Sequence, residues 1–159
     1  MKKTKILGAI IAVAICLIGG FTIYKVHKNS NSYQSLRSSN QIATMNNYKT
    51  QNKITIAIYY NHKCPDCLSV QSLVVPLVKQ EKAKNDYNYI AFDKLNKTDY
   101  KLFKANNIKH TPTFAVYYKN NIIYQYTGTD KPTIKKILKG INPINNKTFK
   151  ENLKLYRTK

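Results

Sequence analysis

Apolar residues follow two different rhythms along this chain. Ile54-Thr55-Ile56-Ala57-Ile58-Tyr59-Tyr60 is a nearly unbroken β-branched and aromatic run, as expected of a strand covered on both faces. Leu68, Val70, Leu73, Val74, Leu77 and Val78 recur at helical spacing and predict a helix over 68–84. Pro76 is expected to kink that helix or to end a first segment of it. Residues 87–92 read as a second strand, and 98–106 as a helix with Tyr100, Leu102 and Phe103 as its packing residues. Two short apolar runs, 113–118 and 122–126, are joined by Lys119-Asn120-Asn121, which reads as a hairpin turn. Gly128 breaks the second run. Pro132 then opens a helix over 133–139, with Ile134, Ile137 and Leu138 facing inward. A short helix over 41–48, using Ile42 and Met45, precedes the first strand, and 148–156 reads as a marginal helix using Phe149, Leu153 and Tyr156. The order (α)βαβαββα predicts an α/β fold with a central mixed sheet flanked by helices. Its first three strands are expected to be parallel, with the hairpin adding an antiparallel edge.

The N-terminus has a different character. Lys2, Lys3 and Lys5 lead into Ile6 to Tyr24, nineteen residues without a charge, followed by Lys25, His27 and Lys28. About 20 apolar residues span a bilayer core as a helix. A cleaved signal peptide is the competing reading, since Ala12-Val13-Ala14 has the small-x-small form, but the apolar run continues well past it. The expected organisation is therefore a signal-anchor over 1–28, a flexible Ser/Asn-rich linker over 29–40, one domain over 41–140 and a basic C-terminal tail over 141–159. The lysines before the helix favour a cytoplasmic N-terminus and an extracytoplasmic domain.

Net charge is +20, and +15 for residues 29–159. The lysines are scattered over helices, loops and tail with no arginine cluster and no nucleic-acid motif, so nucleic acid is not an expected partner. A generally solvated basic surface accounts for them, and it would also sit well against anionic headgroups or wall polymer. Heavy use of Lys, Asn, Ile and Tyr suits an A/T-rich bacterial genome.

The chemistry-bearing motif is Cys64-Pro65-Asp66-Cys67, between the first strand and the helix that follows. Two thiols three positions apart at a helix start can close a small disulfide ring and reopen it, and the helix N-terminus favours the thiolate of the first. His62 and Lys63 favour that thiolate when cationic. Asp66 opposes it, although an acid at a helix start also simply complements the dipole. An inert disulfide is a poor reading, because so short a ring constrains little chain. A zinc site needs two more ligands. Cys16 lies in the apolar run, leaving His62, His110 and carboxylates, and no metal is expected.

Together these features resemble the thioredoxin superfamily. Strand–CPDC–helix is the first match. Thr111-Pro112-Thr113-Phe114 is similar to the family's cis-proline segment at the start of the hairpin, and Ile122 to Gly128 to its closing strand and glycine. The resemblance covers roughly residues 41–140 and extends to membrane-anchored thioredoxin-like proteins, including bacteriocin transport accessory proteins. It departs from the family's pattern at Lys63, where tryptophan is usual, at Ile58, where thioredoxin carries a buried acid, and in the offset of Pro76.

The resemblance implies that Cys64 is the nucleophile, Cys67 the buried resolving thiol, and Pro112 a cis-proline beside them, with the Thr111 backbone available to an extended substrate. Pro65, Asp66, Thr111, Lys63 and His62 are the expected tuning and contact residues. The implied activity is thiol–disulfide oxidoreduction at a cell membrane, with the cysteine pair as redox group and no other cofactor. The expected partners are exported proteins or peptides and a membrane redox partner. A non-catalytic accessory module that binds an exported peptide or a secretion complex is the alternative.

Overall fold

The structure, a computed structural model, describes residues 31–157, with side chains through residue 153. The expected membrane anchor lies outside the described residues, and among those no helix is long and apolar enough to cross a membrane. Strands β1 (Ile54–Tyr60), β2 (Asn88–Asp93), β3 (Thr113–Tyr118) and β4 (Asn121–Thr127) form one sheet in the order β2–β1–β3–β4. Helices α1 (Gln41–Thr50), α2 (Pro65–Ala83), α3 (Lys97–Ala105), α4 (Lys131–Leu138) and α5 (Phe149–Arg157) surround it.

Every residue of β1 is buried, as its unbroken apolar run requires. Its side chains alternate between two cores. Ile54, Ile56, Ile58 and Tyr60 meet α2, α4 and Phe149, whereas Ala57 and Tyr59 meet Met45 of α1 and Phe103 of α3. On the second face Tyr59 and Tyr117 share a hydroxyl hydrogen bond of 2.7 Å, so these two tyrosines are packing residues whose polar ends satisfy each other. The hairpin turns at Lys119, in the left-handed region at φ 54°.

The strand directions depart from expectation. β1 and β2 are parallel, but β3 runs antiparallel to β1, with Thr113 opposite Tyr59 and Tyr118 opposite Ile54. The chain leaves β2 and, after α3, re-enters the sheet at the end it left, so no parallel crossover forms. That reversal places the start of β3 beside the end of β1. Of the two outcomes expected at Pro76, an end to the helix does not occur: α2 runs on through it, with Pro76 and Ser72 facing outward and the carbonyl freed by the missing N–H at an exposed position. In α3 Phe103 is buried and the partly buried Leu102 packs beside it, as expected; Asp99 is unexpectedly buried too, and Tyr100 is exposed.

The stretch read as a linker also contributes to the core. Residues Tyr33–Leu36 form a 3-10 turn, with Tyr33 and Leu36 buried. Tyr33 stacks on Tyr60 with ring centroids 4.5 Å apart, and its hydroxyl donates to the Cys67 carbonyl at 3.1 Å. Arg37 pairs with the buried Asp99 of α3. Tyr33 and Leu36 together recover enough apolar area to anchor an otherwise polar segment. The C-terminal stretch is likewise more than a tail. Thr148 and Glu151 exchange capping hydrogen bonds at the start of α5. Phe149 is buried and its N–H donates to Gly140 at 2.8 Å. Replacing Tyr33 by Ala is expected to destabilise the protein by about 3 kcal/mol through the lost ring and the cavity it leaves. Tyr33→Phe, which loses only the hydroxyl, is expected to cost about 1 kcal/mol. Urea unfolding followed by circular dichroism measures both, and a parental midpoint for Tyr33→Ala would contradict the docking described.

Candidate functional site

The site lies where β1 ends, β3 begins and α2 starts. Asn61 closes a turn with Cys64 (N–H to carbonyl, 3.0 Å), and its side-chain oxygen accepts from the Lys63 N–H at 2.8 Å. Cys64 is then the N-cap of α2, in extended conformation, with Pro65 in the first turn, where its missing N–H costs nothing. One turn on, Cys67 is fully buried in the core formed with Tyr33, Tyr60 and Val70. Cys64 is only partly buried. Both are free thiols in this structure.

The Thr111–Pro112 peptide is cis. Pro112 is buried at the start of β3, and the Cys64 thiol donates to the Thr111 carbonyl at 3.7 Å. The CPDC turn and the Thr-Pro segment, 47 residues apart in sequence, thus meet at one sulfur. Thr113 is tied back by its hydroxyl to the His110 carbonyl at 2.8 Å, which fixes the loop. His110 itself is exposed.

The two sulfurs have opposite electrostatic surroundings. Partial burial works against ionisation of Cys64. The N–H of Cys67, the Cys67 thiol, the Thr111 hydroxyl and the N–H of Asp66 work the other way and hold its pKa below the ordinary thiol value. Burial pushes the Cys67 thiol up to about 11, against the Asn61 N–H that donates to its sulfur at 3.4 Å. The pair therefore comprises one accessible, easily ionised thiol and one buried, protonated partner.

The other expected tuning residues are less central. His62 turns its Nδ1 to Asp93 of β2, 2.6 Å away, and Lys63 is exposed. The principal groups acting on the Cys64 sulfur are backbone N–H groups and Thr111 rather than these side chains. Asp66 is exposed in the first turn of α2. Ile58 is fully buried in the same core as Cys67. Sequence reasoning missed Tyr33, Asn61 and Asp93. Only Asp93, an acid ending an apolar strand, carried a visible signal. Among the described residues no three His, Cys, Asp or Glu side chains converge to hold a metal ion.

No family model and no curated protein matches this chain. Solved structures do. A thioredoxin, NaTrxh, from Nicotiana alata superposes with a TM-score of 0.52 at 18% identity, over 64% of this chain and 84% of that one. Mitochondrial thioredoxin 3 from Saccharomyces cerevisiae gives 0.53 at 20%, over 67% and 96%. The germline-specific thioredoxin Deadhead from Drosophila melanogaster gives 0.53 at 17%, over 65% and 93%. At such identities the likeness is one of architecture, and it agrees with the strand order and the placement of the CPDC turn: this chain has the thioredoxin fold.

Proposed function

We propose that this protein is a thiol–disulfide oxidoreductase. The observation that carries the reading is the meeting of an accessible, readily ionised Cys64 and a buried Cys67 against the cis Thr111–Pro112 segment. In the reducing direction the Cys64 thiolate attacks one sulfur of a substrate disulfide. A Cys64–substrate bond forms, and the other substrate sulfur leaves as a thiolate that takes up a proton. Cys67 loses its proton, attacks Cys64, and releases the second substrate thiol. Two electrons and two protons pass to the substrate, and the protein is left as the Cys64–Cys67 disulfide. Run backwards, the same steps insert a disulfide. Pro65 and Asp66 sit between the two sulfurs, where they bear on the potential, and the Thr111 backbone is the contact for an extended substrate.

We further propose that residues 6–24 hold the domain at a cell membrane, facing outward. There it exchanges disulfides with exported proteins or peptides, and a membrane redox partner restores the pair. The uncharged run and its flanking lysines support this reading, as does the persistence of disulfides outside the cytoplasm. The cysteine pair is the redox group, and the reading calls for no other cofactor.

Cys64→Ser is expected to abolish turnover of a fluorogenic disulfide peptide, whereas Cys67→Ser is expected to accumulate a mixed disulfide that survives on a non-reducing gel. Full turnover by Cys64→Ser would rule out the mechanism. The pH dependence has a definite sign. Thiolate fraction rises with pH, so alkylation of Cys64 by iodoacetamide should reach half its plateau at lower pH than free cysteine measured alongside. Cys67 should stay unmodified until near pH 11. Mass spectrometry of the labelled peptides reads both, and the reverse order of labelling would invert the assigned roles.

A further inference from the structure

A second feature adjoins the site on its α3 side. Lys94, Lys104 and Lys109, with Tyr100, Asn107 and Ile108, line a cavity of about 410 Å³. Two hydrogen bonds attach its walls to the redox site. The Lys94 N–H donates to the Tyr60 carbonyl at 2.8 Å, at the end of β1 that leads to Cys64. The Lys94 ammonium donates to the Lys109 carbonyl at 3.2 Å, in the loop that leads to Thr111 and Pro112.

The charge of this cavity is uncompensated. Of the chain's seven acidic residues, Asp93 and Asp99 are buried against His62 and Arg37, and Glu81 and Asp86 pair with Lys84 and Lys150. Asp130 and Glu151 cap helices, and Asp66 stands on α2. Among the described residues none of Lys94, Lys104 and Lys109 lies within ion-pair distance of a carboxylate. Because the one acid of α3, Asp99, turns inward, the outer side of that helix carries only Lys97, Lys101 and Lys104, spaced so that like charges are neighbours. The lysine lining suits a carboxylate: the Lys94, Lys104 and Lys109 ammonium groups meet the charge, and the Lys104 ammonium is held beside the cavity over the exposed Tyr100 ring, 5.0 Å from its centroid.

We propose that this cavity selects substrates bearing an acidic side chain near the reacting cysteine. The inference rests on the thiol–disulfide reading above and names its substrate class. An extended chain advances about 3.3 Å per residue. Lys109 lies two residues before Thr111 in the loop that walls the cavity, so for a peptide bonded to Cys64 and lying along the Thr111 backbone the acidic residue is proposed to stand two to four positions from its cysteine.

The test compares disulfide-linked peptides alike except for Glu or Lys two and three residues from the cysteine. Turnover by the full chain is driven by dithiothreitol and followed by fluorescence dequenching. At about 0.01 M salt, where screening is weakest, the Glu peptide should exceed the Lys peptide at least about tenfold in kcat/KM. At about 1 M salt the ratio should approach one. Lys104→Glu with Lys109→Glu should bring the low-salt ratio to one or below. Lys135→Glu with Lys139→Glu, the same change of net charge on exposed positions of α4 and its end, should leave it unchanged. A ratio indifferent to the first pair, or equally sensitive to the second, would overturn the proposal and leave net charge as the only electrostatic effect.

Failure of the redox reading would look different: the parent protein would not turn over 2-hydroxyethyl disulfide, a small neutral substrate. In that case the cavity is judged by fluorescence anisotropy with cysteine-free Glu and Lys peptides. Preference for Glu that is lost in Lys104→Glu/Lys109→Glu upholds the site, and equal binding of the two peptides rejects it.

Discussion

β1 is hydrogen-bonded on both edges and buried on both faces, and the position of every reactive group follows from where it ends. A strand so enclosed cannot slip by one residue without exchanging Ile56, Ile58 and Tyr60 for Ala57 and Tyr59 across the two cores. Its last residue therefore has a fixed place, and the four-residue turn from Asn61 to Cys64 hangs from it. β3 adds the second half of the constraint. Because it runs antiparallel with Thr113 opposite Tyr59, its leading segment, Thr111–Pro112, can only lie at that same end. The 3.7 Å approach of Cys64 to Thr111 is a product of sheet register, and neither loop holds it alone.

The unequal thiols are a consequence of the same geometry. Helix α2 begins at Pro65, so the first cysteine meets unpaired N–H groups while the second is already one turn inside the core. Burial then raises the second and backbone donors lower the first. Little of this depends on charged side chains. His62 and Lys63 flank the motif, yet His62 is committed to Asp93, and the donors at the reactive sulfur belong mostly to the backbone. Asp93 and Asp99 instead stitch the 61–64 turn, the end of β2 and the segment at Arg37 into one polar seam under the site.

How much of this could be read from the residues depends on the range of the interaction. β1, the hairpin and the helix after CPDC announce themselves through local periodicity, and the core residues named on them are those that pack. The direction of β3 is not legible in the periodicity: the connection through α3 is long enough for a parallel crossover, yet the chain returns to the end it left and β3 pairs antiparallel with β1, a choice made by tertiary packing. That α2 continues past Pro76 rather than ending there depends on which side of the helix faces solvent at that position, which residue type alone does not reveal. Tyr33 was invisible for a different reason. A single aromatic in a polar stretch has no period, and its partner Tyr60 lies 27 residues away. The Cys64–Cys67 pair is legible from spacing and residue type, and Pro112 beside it through the resemblance of its Thr-Pro segment; the cavity next to them is not, since Lys94 and Lys104 come together with Lys109 only through the fold of the chain around α3.

The docking of Tyr33 bears on the anchor proposed above. Were residues 6–24 to hold the domain at a membrane, only residues 25–32 would separate that segment from Tyr33, a span of at most about 30 Å whatever its conformation. Had the chain been free as far as Gln41, the reach would have been nearly twice that. Such a tether would end at the redox site itself, since Tyr33 is bonded to the carbonyl of Cys67. A domain so held would keep to a thin layer next to the bilayer. It would encounter chains as they emerge from the membrane and miss those that have already diffused away.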